Sequence, residues 1–271
     1  MRFVDAHLHL WDVTRVPLSW FREGQGLPAR ADVDALLLEL DGDDAARPEA
    51  AVVVQAADTL EELSWLLAIA DRNPMVAAVV AQYEPRTGSW AGTVRDLLGH
   101  PRLAGIRLAV PTRAADLSDV PGVGALAAGL ASAGSVLEVL IRPEQLPAVA
   151  ALADSHPDLN IAVCHLGLGP AAPTDRWRAG LCALEPHHRV VAKVSGLHGP
   201  GDDRARVRAV VSDAVEILGI DRLMFGSDWP ISTRVCGYHQ TLARTAAALP
   251  ALSEREADSF WRGLATRLYM S

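Results

Sequence analysis

Phe3-Val4-Asp5-Ala6-His7-Leu8-His9-Leu10, close to the start of the chain, reads as a buried β-strand in which apolar residues are interrupted by two histidines. Successive side chains of a strand point to opposite faces, so His7 and His9 emerge on the same face. Two imidazoles side by side can ligate a metal ion or clamp a substrate oxygen; a pair of satisfied histidines at a strand edge is the plainer reading. The rest of the chain separates the two.

Trp11 to Arg30 is aromatic and carries Pro and Gly, too irregular for one element, and reads as a long loop at the C-terminal end of the first strand. Trp11, Trp20 and Phe21 form an apolar wall there or anchor the loop on the rim. A short helix over Ala31–Leu40 follows, with Asp32 near its N-terminus. Then a rhythm sets in. Apolar strands over 51–55, 75–82, 104–110, 135–141, 160–165, 190–195 and 222–228 alternate with helices over 59–71, 90–98, 123–133, 143–153, 175–184 and 202–218, and two more helices fall within 238–270. Strands that are apolar on both faces and alternate with helices signal a parallel sheet covered by helices. Eight such units predict an α/β fold, a (β/α)8 barrel, and a single domain over residues 1–271. No Gly-rich phosphate loop follows the first strand, which argues against a dinucleotide-binding sheet.

At 271 residues and 50% hydrophobic, the chain can bury a large core. A formal net charge of −8 gives no general attraction to nucleic acid or to an anionic membrane. The basic residues are arginines except for Lys193. Cys164, Cys182 and Cys236 are odd in number and share no metal-site spacing, which points to a reducing compartment. With no signal region and no apolar run long enough to span a bilayer, the expected location is the cytoplasm. The expected partner is a small-molecule substrate; a homo-oligomer stays open.

In a (β/α)8 barrel the active site lies at the C-terminal ends of the strands. Near those ends stand His7 and His9, Arg107, Glu138, His165, Lys193 with Ser195, and Asp228. Ionisable residues in apolar strands are costly to bury unless paired or bound to something. A carboxylate near histidines can take a proton from water attacking a carbonyl, so Asp228 is the candidate base, with a turn or cap role before Trp229-Pro230 as the alternative. His165 binds metal or hydrogen-bonds the carbonyl, unless it is a satisfied histidine beside Gly167. Arg107 suits a substrate carboxylate or hydroxyls, or else an ion pair with Glu138. Arg142, His198, Trp11 and Tyr238 complete the candidate substrate contacts, each with a surface or packing role as its alternative.

The pattern as a whole resembles the amidohydrolase superfamily, in its branch of sugar-lactone and pyrone-dicarboxylate lactonases. The resemblance is carried by Asp5 to Asp12, Gly105-Ile106-Arg107, Ile141-Arg142-Pro143, His165-Leu166-Gly167, Ser195-Gly196-Leu197 and Phe225-Gly226-Ser227-Asp228-Trp229-Pro230. It implies a barrel hydrolase in which Asp228 activates water. Two positions depart from the pattern: Glu138 stands where related lactonases often carry aspartate, and Leu108 where histidine is frequent. His7, His9, His165 and Asp228 make an N/O set for zinc or a similar divalent ion, with Glu138 as an extra ligand. The branch also includes members that work without metal. The expected activity is therefore opening of a small lactone by water. The rivals are a metal-dependent decarboxylase or other hydrolase on the same barrel, and a non-catalytic accessory barrel.

Overall fold

The computed structural model describes residues 2–41, 46–57, 59–83, 98–201 and 203–270. Its centre is one eight-stranded sheet of β1 (Val4–Leu8), β2 (Ala50–Val54), β3 (Val76–Gln82), β4 (Leu103–Ala109), β5 (Val136–Leu140), β6 (Asn160–Val163), β7 (Val190–Val194) and β8 (Leu223–Phe225). Neighbours in the sheet are neighbours in sequence, and every pair is parallel. The helices are α1 (Val33–Glu39), α2 (Leu60–Arg72), α3 (Val123–Ala133), α4 (Leu146–Ser155), α5 (Asp175–Leu184), α6 (Arg204–Leu218), α7 (Tyr238–Ala248), α8 (Glu254–Asp258) and α9 (Leu264–Tyr269). The helix expected over 90–98 falls almost wholly outside the described residues. The aromatic excursion after β1 is closed at its base by a two-residue antiparallel ribbon, Trp11–Asp12 against Arg30–Ala31.

Helix α2 shows how sequence builds the outer layer. Thr59 caps it by accepting from the Glu62 N–H at 3.4 Å, and Leu63, Leu66, Leu67 and Ala70 bury one stripe at helical spacing. Glu62 is itself buried; its carboxylate accepts from the N–H groups of Ala56 and Ala57 at 2.8 and 2.6 Å and so shapes the turn after β2. Between strands and helices lies the larger apolar core. A smaller one takes Val4, Ala6, Val52, Val54, Val80 and Met224 from alternate strand positions, fills the barrel interior, and is plugged by Leu264 and Tyr269 of the last helix.

The pairing of β1 with β2 contains an irregularity that matters for the site. Asp5 pairs with Ala51 and Leu8 with Val53, so three steps on β1 oppose two on β2. This is a β-bulge. Val4 and Ala6 face the interior before it; beyond it Leu8 packs outward and His7 and His9 turn inward.

The seam between β1 and β8 is closed by single bonds rather than a ladder: the Asp228 N–H donates to the His7 carbonyl at 2.8 Å, and the His9 N–H to that of Trp229 at 2.7 Å. β8 is shorter than expected, ending at Phe225; at the next residue, Gly226, a Cβ would lie 2.6 Å from the Cβ of His7. The chain can pass the histidine only as glycine. Buried Asp5 then locks the seam, accepting from the N–H groups of His7 (3.1 Å) and Ser227 (2.9 Å) and from the Tyr238 hydroxyl (2.8 Å). Tyr238, expected to touch substrate, is fully buried on this latch instead. Tyr238→Phe leaves one Asp5 oxygen unsatisfied, and should cost about 1–3 kcal/mol of stability in urea unfolding. An unchanged midpoint would mean that water replaces the hydroxyl.

Candidate active site

Three imidazoles gather round one carboxylate oxygen. Nε2 of His7, His9 and His165 lie 3.6, 3.5 and 4.0 Å from Asp228 Oδ1. His165 and Asp228 both sit in the left-handed region, at φ 55° and 56°, unusual for non-glycine residues and typical of functional sites. His165 belongs to a tight turn, Cys164–Gly167, that replaces the end of the sixth predicted strand. Trp177 of α5 pins this turn from outside, its indole N–H donating to the Leu166 carbonyl at 2.8 Å.

The far side of each ring is held by a different partner. His9 Nδ1 lies 2.7 Å from the Val54 carbonyl, which can only accept, so this nitrogen carries a proton. His165 Nδ1 is 2.9 Å from the Ser195 hydroxyl. His7 Nδ1 faces Lys193 Nζ at 3.3 Å. Its Nε2 is buried without a hydrogen-bond partner among the described residues. Burial, reinforced by Lys193 and the neighbouring histidines, holds the His7 pKa well below the ordinary imidazole value. Burial also lowers His165, against the pull of Asp228. For Asp228 burial works against the charge, but His165, His9 and Arg107 outweigh it and keep the carboxyl below its usual value.

Arg107 projects from β4 into the same space. Its Nε donates to Gln82 Oε1 at 3.0 Å and one terminal nitrogen to the Gln55 carbonyl, while Nη1 has no hydrogen-bond partner among the described residues. It pairs in register with Glu138, yet no ion pair forms between them. Gln55, just past β2, and Gln82, the last residue of β3, were not among the expected site residues. Their signal was there: each is a polar residue closing an apolar strand.

Other candidates are placed elsewhere. Glu138 lies on the Nδ1 side of His7, away from Asp228, and is occupied by Lys193, by the Tyr269 hydroxyl (2.6 Å) and by Cys164 Sγ (3.5 Å). It is a support of the site rather than an extra ligand of the Asp228 set. Arg142 is exposed at the start of α4's leading turn and faces Glu144 at 3.4 Å. His198, half-buried, has Nδ1 3.8 Å from Asp203 Oδ1, in the loop that caps α6. Trp11 is buried, with its N–H on the Pro28 carbonyl at 2.9 Å, and anchors the long loop; Trp20, 37% exposed, stands against it with ring centroids 5.5 Å apart.

Gly196 sets the position of His165. Its φ is +58°, and a Cβ there would lie 2.5 Å from His165 Nδ1. Gly196→Ala should cut turnover at least about tenfold by tilting the ring, for roughly 1–2 kcal/mol of strain. Full activity in a folded Gly196→Ala protein would show that the ring position is not critical.

The donor chemistry fits one divalent ion. Ligand atoms of His7, His9 and Asp228 lie within 4.8 Å of one another. Bonds of about 2.0–2.1 Å would set tetrahedral ligand atoms roughly 3.3 Å apart, slightly closer than the distances to Asp228.

A parallel barrel with imidazoles, a carboxylate and an arginine at the C-terminal mouth is the architecture of a (β/α)8 hydrolase. The sequence matches the amidohydrolase family over residues 4–270, and the chain belongs to that family. Two curated relatives named L-fucono-1,5-lactonase are each 30% identical. The one from Burkholderia ambifaria aligns over 87% of this chain and 82% of its own, the one from Burkholderia multivorans over 98% and 95%. The crystal structure of an amidohydrolase from Burkholderia multivorans with bound zinc is 29% identical with a TM-score of 0.85, covering 100% of this chain and 99% of that one. An amidohydrolase 2 from Bifidobacterium longum subsp. infantis, 21% identical with a TM-score of 0.76, shares the fold. Among the described residues no helix is long and apolar enough to cross a membrane.

Proposed function

We infer that this enzyme opens a lactone of a sugar acid by attack of water on the ring carbonyl. The observation that carries this reading is the convergence of three histidine Nε2 atoms on Asp228 Oδ1, in a chain 30% identical to two L-fucono-1,5-lactonases. A non-catalytic barrel would have no use for that convergence.

Asp228, held ionised at neutral pH, accepts a proton as a water oxygen bonds to the carbonyl carbon. The charge that develops on the carbonyl oxygen is met by imidazole N–H groups. As the ring C–O bond breaks, the proton on Asp228 passes to the departing oxygen, leaving an open hydroxy acid. Arg107, steadied by Gln55 and Gln82, offers its free guanidinium edge to substrate hydroxyls. Nε2 of His7 and His9 and Oδ1 of Asp228 are the atoms that would hold a divalent ion, His7 in the tautomer that leaves its Nε2 bare, with His165 Nε2 4.0 Å from Asp228 Oδ1. When bound, such an ion supplies Lewis-acid polarisation of the carbonyl and a more acidic water.

The test is hydrolysis of a panel of sugar-acid 1,5- and 1,4-lactones, followed by pH-stat, on protein before and after chelation. Turnover of at least one lactone supports the reading; inactivity on all of them, with the metal restored, would overturn it. The acid side of the pH profile reports the base. The active form is ionised and is lost as pH falls through the Asp228 pKa, which lies below the ordinary value of about 3.9. Activity should therefore hold level down to about pH 4.5. An acid limb near neutrality would transfer the base role to a histidine.

A further inference from the structure

Lys193 is the one lysine of a chain that otherwise uses arginine, and it is fully buried in the barrel. An ammonium has three protons and no lone pair. One goes to the Ala6 carbonyl at 2.7 Å and one to Glu138 Oε1; the third points at His7 Nδ1, 3.3 Å away. Arginine, with its flat five-proton fork, could not serve three acceptors so disposed. The other polar atoms near His7 Nδ1 are Glu138 Oε2, at 4.0 Å and beyond a hydrogen bond, and Cys164 Sγ, a long sulfur contact at the same distance whose thiol donates to Glu138 Oε2 at 3.5 Å. His7 Nδ1 is therefore an acceptor. A neutral ring with a bare Nδ1 carries its proton on Nε2, the buried atom that has no partner.

We propose that Lys193 is a positioning residue which, by hydrogen-bonding His7 Nδ1, holds His7 in the Nε2–H form, so that the two rings of β1 are set oppositely: His7 directs an N–H into the site while His9 keeps a proton on Nδ1, behind the site. The two rings differ in what stands behind them, an ammonium behind His7 and the Val54 carbonyl behind His9. That N–H makes no hydrogen bond and faces Asp228 Oδ1 at 3.6 Å, which leaves it able to take a closer acceptor. On the lactone reading, on which this assignment of the acceptor rests, the acceptor is the carbonyl oxygen as it gains charge.

The same contact sets the site's appetite for metal. A neutral imidazole ligates through its bare nitrogen, so His7 in the Nε2–H form stands outside the ligand set. Without Lys193, the Nδ1 proton would have Glu138 Oε2 to turn to, which is the carboxylate–histidine pairing that supports a metal-bound imidazole. Lys193 thus biases His7 away from ligation.

Two measurements test this, and neither needs a substrate. In chelator-treated wild-type protein labelled with 15N-histidine, long-range 1H–15N correlation spectra separate the two neutral tautomers. His7, assigned by loss of its signals in His7→Gln, is expected with the proton on Nε2, and His9 with the proton on Nδ1. A His7 with its proton on Nδ1 overturns the proposal. Zinc affinity, measured by competition with a chromophoric chelator, is expected to tighten roughly tenfold or more in Lys193→Met. Unchanged or weaker binding in the folded variant overturns it; should the variant not fold, the wild-type spectrum decides alone. If no lactone is turned over while the tautomers are as expected, the substrate assignment fails and the role of Lys193 stands.

Discussion

Asp228→Asn should lower lactone hydrolysis by about 10²–10⁴-fold while leaving the protein folded. The substitution isolates the carboxylate because asparagine is among the few residues at ease in the left-handed region, and Asp228 has φ 56°. Its backbone N–H keeps the bond to the His7 carbonyl that closes the seam. Asp228→Ala would confound lost chemistry with backbone strain. The expected result is a loss seated in kcat, because the proton is transferred in the transition state rather than on binding. Wild-type rates in the folded asparagine variant would remove Asp228 as the base, whatever the metal content.

Glu138→Gln should destabilise the fold by about 3–5 kcal/mol, because it strands the Lys193 ammonium in the barrel interior without a counter-charge. Tyr269 and Cys164 would still find an acceptor in the amide, so the loss belongs to the unpaired cation. The contrast is Arg178, 38% exposed on α5, which faces Asp213 and Glu216 of α6. Asp213→Asn there should cost no more than about 1 kcal/mol, because solvent screens the pair and the cation keeps a second partner. Urea midpoints of the two variants compare the same chemistry in two dielectric settings. Equal shifts would mean that water reaches Lys193.

Much of the site was legible because it lies at strand ends. His7, His9, Arg107 and Asp228 are polar residues at or just past the ends of apolar strands, and barrel geometry sends such residues to one mouth. His165 was legible too, although the strand expected to carry it stops at Val163 and a strained turn delivers the ring. Tyr238, Arg142 and His198 illustrate the limit. Each lies in or beyond the segment that follows a strand end, but the hydroxyl was claimed by Asp5, the guanidinium faces Glu144, and the imidazole sits beside Asp203.

By itself, then, the sequence determined the alternation of apolar strands and helices, and through it the parallel barrel. It also determined that His7 and His9 share a face, since period two is a property of any strand. Which face they share was decided only in the tertiary structure, by the bulge between Asp5 and Leu8. A carboxylate partner for Lys193 inside the barrel could be expected from the sequence; that it is Glu138, with Tyr269 beside it behind His7, was decided only by the fold. The three stand 55 and 131 residues apart, and only the closed barrel brings an ammonium, a carboxylate and a phenol to the back of one imidazole. Local pattern reports which residues turn inward; the hydrogen bonds that give each its role come from whatever the fold sets beside it, with no repeat in the chain to announce them.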